Sequence, residues 1–233
     1  MRIPYITTQQ MLEVDRLMIE EYGIRLIQMM ENAGKNLAEL ARQMLGGDVR
    51  SKRIAVLCGV GNNGGGGMVA ARHLHNWGAE ILLKVISAQD ALNDVPAHQT
   101  QILERMGIAD QETIDLSTID LVIDAMIGYG LIGDPRGAIA DWIRRVDDLP
   151  CPVLALDTPS GLDTTTGIPG NPCLHATVTM TLALPKTGMA SPQATAYLGE
   201  LYLADISVPP QLYASMGIQI PMLFHHNPII KIQ

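Results

Sequence analysis

Residues 53–77 read RIAVLCGVGNNGGGGMVAARHLHNW, and this stretch decides the fold. Ile54 to Cys58 is a short continuous apolar run, six glycines follow within Gly59 to Gly67, and Met68 to Trp77 has helical spacing. The reading is strand, tight loop, helix. Gly59, Gly61 and Gly64 satisfy G-x-G-x-x-G between strand and helix, where glycines let a backbone approach a phosphate and the helix N-terminus offers free N–H donors. A purely steric role in a tight βα turn is the alternative.

Working toward the N-terminus, Thr7 and Gln10 have capping-box spacing, and Met11, Val14 and Met18 recur at helical intervals until Gly23. A second helix carries Leu26, Met29, Met30, Ala33, Leu37, Leu40, Ala41 and Met44 on one stripe and stops at Gly46-Gly47. Toward the C-terminus, strands are expected at Ile81 to Ile86, Leu121 to Ile127, Val153 to Leu156, Ala176 to Leu182 and Leu201 to Ala204. Helices are expected over Val95 to Met106, capped by Asn93 or Asp94, and through Ile139, Trp142, Ile143 and Val146. Strands alternating with helices give an α/β fold, a three-layer αβα sandwich with a Rossmann-like, doubly wound, mostly parallel sheet. The organisation is one domain: two N-terminal helices over 8–46, a nucleotide-binding core over 52–208 and a C-terminal extension over 209–233.

Composition narrows the class. Hydrophobic residues make up 47% and charged residues 17%, enough for a substantial core, and thirteen Met against a single Phe are read as packing. A formal net charge of −8 without a block of like charges argues against nucleic acid or a membrane surface as partner. Cys58, Cys151 and Cys173 are far apart and odd in number, which suits a reducing cytoplasm. The first twenty residues lack a signal-peptide pattern, and no apolar run is long enough to span a membrane. The six histidines have no acidic or Cys partner at ligand spacing, so a transition metal is not expected.

In doubly wound folds, ligands lie outside the carboxyl ends of the strands, where Gly59 to Gly67, Asp124 to Gly133 and Asp157 to Asp163 all fall. Asp157 ends an apolar strand and opens DTPSGLD; it is either a catalytic carboxylate or a turn-stabilising Asx residue. Asp124, inside the apolar run LVIDAMI, needs donors or a cation, so it either caps the next loop or contacts a metal or substrate. Ser160 lacks the first glycine of a nucleophile elbow and is not read as a nucleophile. Lys186 either reaches the same edge or is an exposed loop lysine; Arg136 pairs with a phosphate or with Asp134 or Asp141. An ordinary dehydrogenase is disfavoured, because its second strand should end in an acidic residue, whereas here it ends Lys84, Val85, Ile86, Ser87 and Glu80 sits at its start.

Eight ordered segments, VDRLMIEEYGI, MMENAGKNLAE, VLCGVGNNGGGG, VAARHL, VIDAMIGYGLIG, ALDTPSGLD, ATVTMTLALPKTG and GELYLADISVPP, span nearly the whole chain. Together they resemble the YjeF N-terminal domain family, whose enzymatic members are NAD(P)H-hydrate epimerases. The resemblance implies an isomerase of nicotinamide-nucleotide repair that converts the R epimer of hydrated NADH or NADPH to the S epimer, with Asp157 catalytic and at the reacting part of the substrate. It implies dinucleotide contacts from Asn62, Asn63, Gly64, Gly65 and Gly66, and from Gly128, Tyr129, Gly130, Leu131, Ile132, Gly133 and Asp134. It implies a potassium ion held by Asn63, Asp124 and Ser160, a homodimer, and a separate dehydratase that completes repair. Gly66 departs from the family's NNGGDG, removing a charge and a helix cap; that departure favours, as the alternative, a noncatalytic nucleotide-binding or protein-interaction module. Thr158 stands where relatives often carry an apolar residue, and Tyr129 where a smaller one is common.

Overall fold

The computed structural model describes residues 3–86 and 92–233; Ser87, expected at the end of the second strand, lies outside them. Helices α1 (Thr8–Glu20) and α2 (Leu26–Met44) precede strand β1 (Arg53–Cys58). Then follow α3 (Asn62–Asn76), β2 (Glu80–Val85), α4 (Asp94–Arg105), β3 (Leu121–Ala125), α5 (Gly137–Asp147), β4 (Val153–Leu156) and β5 (Val178–Leu182). The chain closes with α6 (Pro192–Leu198), β6 (Glu200–Ala204), α7 (Pro210–Ser215) and β7 (Ile229–Lys231).

These strands form a seven-stranded sheet in the order β2-β1-β3-β4-β5-β6-β7, parallel throughout except for the antiparallel β6–β7 edge. The chain leaves β1 for β2 on one side and returns to β3 on the other, so the topological switch point lies between β1 and β3. Alternation along β1 sends Ile54, Val56 and Cys58 toward α2, α3 and α4, and Ala55 and Leu57 toward α5. Both faces are therefore covered, which is the three-layer arrangement expected of near-continuous apolar strands. The Thr7–Gln10 capping box forms at the start of α1, with reciprocal bonds of 3.1 and 2.9 Å.

The glycine run behaves differently from the expected loop: helix begins at Asn62, and Gly64 to Gly67 all lie inside α3. Each glycine in a helix costs about 0.5–1 kcal/mol relative to alanine, so contact must offset it. A Cβ on Gly67 would stand 2.5 Å from the Ala125 Cβ, and one on Gly64 would overlap the Gly59 carbonyl. From α2, Gly34 meets the Gly66 carbonyl and Val69 in the same way. The glycines let α3 lie hard against the sheet and α2. β3 stops at Ala125, short of Ile127, because the Met126 N–H leaves the ladder for the Asp124 carboxylate at 3.1 Å.

The stretch from 209 onward contributes α7 and β7, whose Ile230 pairs with Leu203 in the sheet. A period-2 signal is too short to read from a three-residue edge strand. Among the described residues no helix is long and apolar enough to cross a membrane.

Candidate active site

A cavity of 390 Å³ opens at the C-terminal edge of the sheet, beside the switch point. Its floor comes from Gly61 to Asn63 after β1, Gly128 to Gly130 after β3, and Asp157 after β4; Leu182 and Lys186 follow from β5. Helices α1 and α2 close it from above with Met11, Asp15, Met29 and Met30.

Asp157 is 3% exposed and adopts φ +66°, a left-handed conformation that costs a non-glycine residue about 1–3 kcal/mol when surroundings enforce it. The kink takes the backbone out of β4 and lets the carboxylate meet three segments. Oδ1 accepts from the Lys186 ammonium and lies 3.4 Å from the Thr181 hydroxyl and the Leu182 N–H. Oδ2 accepts from the Tyr129 N–H at 3.0 Å. Lys186 is fully buried and is no exposed loop lysine: its ammonium also donates to Thr181 Oγ1 and the Leu182 carbonyl, each at 3.1 Å. All three of its donors are thus engaged.

Asp124 is completely buried beside this floor. It accepts from the Ser160 hydroxyl at 2.7 Å, the Ser160 N–H at 2.8 Å and the Met126 N–H at 3.1 Å. Burial outweighs these neutral donors and pushes its carboxyl up to about 6. Ser160 Oγ also accepts from the Ile127 N–H at 3.0 Å, so the hydroxyl is locked into the fold. Asn63 lines the cavity, and its amide nitrogen donates to the Leu156 carbonyl at 3.2 Å.

The remaining sequence candidates divide. Asn62, Gly66, Gly128, Tyr129 and Gly130 share the cavity wall with Asn63 and Asp157. Gly64 and Gly65 are buried against Gly59, Met30 and Pro96. Leu131 to Asp134 run away from the cavity: Ile132 is 95% exposed, and Asp134 accepts from the Asn171 N–H at 2.9 Å. Arg136 is exposed at the start of α5, while Asp141 pairs with Arg144 at 3.2 Å. Gly66 is the fifth residue of α3, so this position is no helix cap; a Cβ there would reach the Leu156 Cδ2 at 2.8 Å, a methyl that can rotate.

Sequence reasoning missed the roof. Met11, Met29 and Met30 are buried as expected, yet they also line the cavity, where flexible thioethers adapt to a ligand. Asp15 was missed as well; its carboxyl accepts from the Tyr129 hydroxyl and is raised above its ordinary value by burial. The available signal was its position four residues after Met11 and three before Met18, a lone carboxylate on an apolar helix face.

Residues 26–188 match the family model described as YjeF-related protein N-terminus. A NAD(P)H-hydrate epimerase of Dehalogenimonas lykanthroporepellens is 41% identical, over 92% of this chain and 86% of its own. One from Rhodopirellula baltica is 32% identical, covering 94% and 90%. A bifunctional NAD(P)H-hydrate repair enzyme of Moorella thermoacetica is 36% identical, but this chain spans only 42% of it. The crystal structure of yeast ynu0 superposes with a TM-score of 0.81 over 99% of this chain and all of that one, at 19% identity, a likeness of fold. The family model covers most of the chain, the relatives cover nearly all of it, and the chain belongs to the YjeF N-terminal domain family.

Proposed function

We propose that this chain is an NAD(P)H-hydrate epimerase, converting the R epimer of hydrated NADH or NADPH to the S epimer. The observation that carries the reading is the Asp157 carboxylate on the cavity wall, with Oδ1 bound to a buried ammonium and Oδ2 held by one backbone N–H. Oδ2 therefore keeps lone-pair capacity for a proton. Departure of the substrate's hydroxyl leaves a planar cationic ring, and water adding to the opposite face completes the inversion. The ionised Asp157 carboxylate takes the proton released by the adding water and passes it to the departed hydroxide, so that one water leaves for each one that adds. Lys186 fixes the carboxylate's orientation. The Asp157 carboxylate on the cavity wall also places negative charge where the ring becomes cationic.

Asp124, Asn63 and Ser160 fit a potassium ion on donor chemistry: all can offer oxygen, and the buried Asp124 carboxylate faces only neutral donors among the described residues. When bound, the ion supplies positive charge beside the floor of the site. A separate dehydratase consumes the S epimer. We further propose a cytoplasmic setting, which the free Cys58, Cys151 and Cys173 suit, and a homodimer, which rests on the family resemblance alone.

The direct test supplies the R hydrate with a dehydratase that acts only on S, in potassium buffer. Added protein should accelerate consumption, and Asp157→Asn should lose most of that acceleration while still binding ligand. Equal rates with and without the wild-type protein refute the activity; equal rates for the variant refute the role of Asp157.

A further inference from the structure

We infer that Asp15 is a positioning residue for this reaction: from helix α1 it grips the Tyr129 phenol and thereby seats the backbone N–H that orients the Asp157 carboxylate. The inference rests on the epimerase reading above and names what holds that site in register. Tyr129 stands between Gly128 and Gly130, and two flanking glycines leave a loop with little backbone preference of its own. Its orientation must come from contacts, and the structure supplies them at every polar group of the residue. The hydroxyl donates to Asp15 Oδ2, the N–H donates to Asp157 Oδ2 at 3.0 Å, and the carbonyl accepts from Thr164 Oγ1 at 3.3 Å.

Two of those three ties lead to the N-terminal segment, because Thr164 Oγ1 is itself 3.2 Å from Thr8 Oγ1 at the start of α1. The same segment also brackets Lys186: Ile6 donates to the Pro185 carbonyl and accepts from the Thr187 N–H, both at 2.9 Å. The Tyr129 ring then lies 5.7 Å from the Lys186 ammonium, over the partner of Asp157. Residues 6–15 thus fasten both sides of the Asp157 carboxylate. Asp15 is the only one of these ties made by a side chain that also lines the cavity from α1.

The test is a double-mutant cycle in the coupled epimerase assay, with amide hydrogen exchange at Tyr129 measured alongside. Asp15→Ala and Tyr129→Phe should each lower kcat by about tenfold or more, the order of one lost hydrogen bond to a charged group. The double variant should be no slower than either single one, because both remove the same bond. Asp15→Asn keeps an acceptor oxygen and should recover much of the loss, a rescue that a general packing role does not give. The Tyr129 amide should exchange faster in Asp15→Ala and Tyr129→Phe than in wild type. Singles within about twofold of wild type, multiplicative losses in the double, or unchanged exchange overturn the inference. Absence of wild-type turnover would instead refute the epimerase reading, and the exchange data would still decide the latch.

Discussion

Removing the Lys186 ammonium should cost this protein a large part of its stability. The side chain is fully buried, spends its three donors on Asp157, Thr181 and Leu182, and faces an aspartate that is itself 3% exposed. Lys186→Met fills much of the same volume, so cavity formation contributes little and the lost charge dominates. Asp157 would keep the Tyr129 N–H and the longer contacts from Thr181 and Leu182 but no cation. Breaking a buried pair by removing one partner typically costs about 3–5 kcal/mol, mostly the penalty of stranding the other charge. At about 2–4 °C per kcal/mol for a chain of this size, the melting temperature should fall by roughly 6–20 °C. Urea unfolding at neutral pH measures the loss directly. The decisive comparison is Asp157→Asn combined with Lys186→Met, which strands no charge and should recover about half or more of the deficit. A single variant within about 1 kcal/mol of wild type, or a double variant as unstable as the single, would refute the account of a desolvated ion pair.

Thr158 is 1% exposed and its hydroxyl has no hydrogen-bond partner among the described residues, so Thr158→Val should raise stability by about 1 kcal/mol in urea unfolding; a loss would mean the hydroxyl is satisfied in solution. If potassium occupies the site at Asp124, adding KCl in place of choline chloride should raise the melting temperature of wild type but not of Asp124→Asn. The gain would be about 2.7 kcal/mol at a hundred times the dissociation constant, and equal effects of the two salts would reject the ion. Burial pushes Glu31 up, but its bonds from Arg72 and His73 outweigh that and leave its carboxyl below the ordinary 4.5. A depressed carboxyl stabilises above its unfolded value and loses that contribution as pH falls through the folded one. The stability gap between wild type and Glu31→Gln should therefore be widest above pH 4.5 and narrow below it, and a gap that widens on acidification would contradict the pairing.

Much of the site was legible because strand ends are where acidic residues become costly. Asp124 and Asp157 each interrupt an apolar run, and a buried carboxylate must find donors or a cation whatever the fold around it. The glycine segment was legible as a close approach but not as helix, since local preference disfavours glycine there and only the contacts of α3 with α2 and the sheet reverse it. Lys186 was ambiguous for a similar reason: a lysine after a proline gives no sign of its partner, which lies 29 residues away. Asp15 is farther still, 114 residues from the tyrosine it holds.

By itself, then, the amino-acid order determined the alternation of strand and helix, the capping box at Thr7, the parallel sheet and the edge at which its aspartates emerge. These follow from local periodicity and from the rule that parallel strands need crossovers. Only tertiary structure decided that a methionine roof closes the cavity, that Asp157 is clasped by Lys186 and Tyr129, and that an N-terminal helix reaches the same loop. Those contacts join residues far apart in the chain, and their geometry is set by how whole layers pack, which no local pattern encodes.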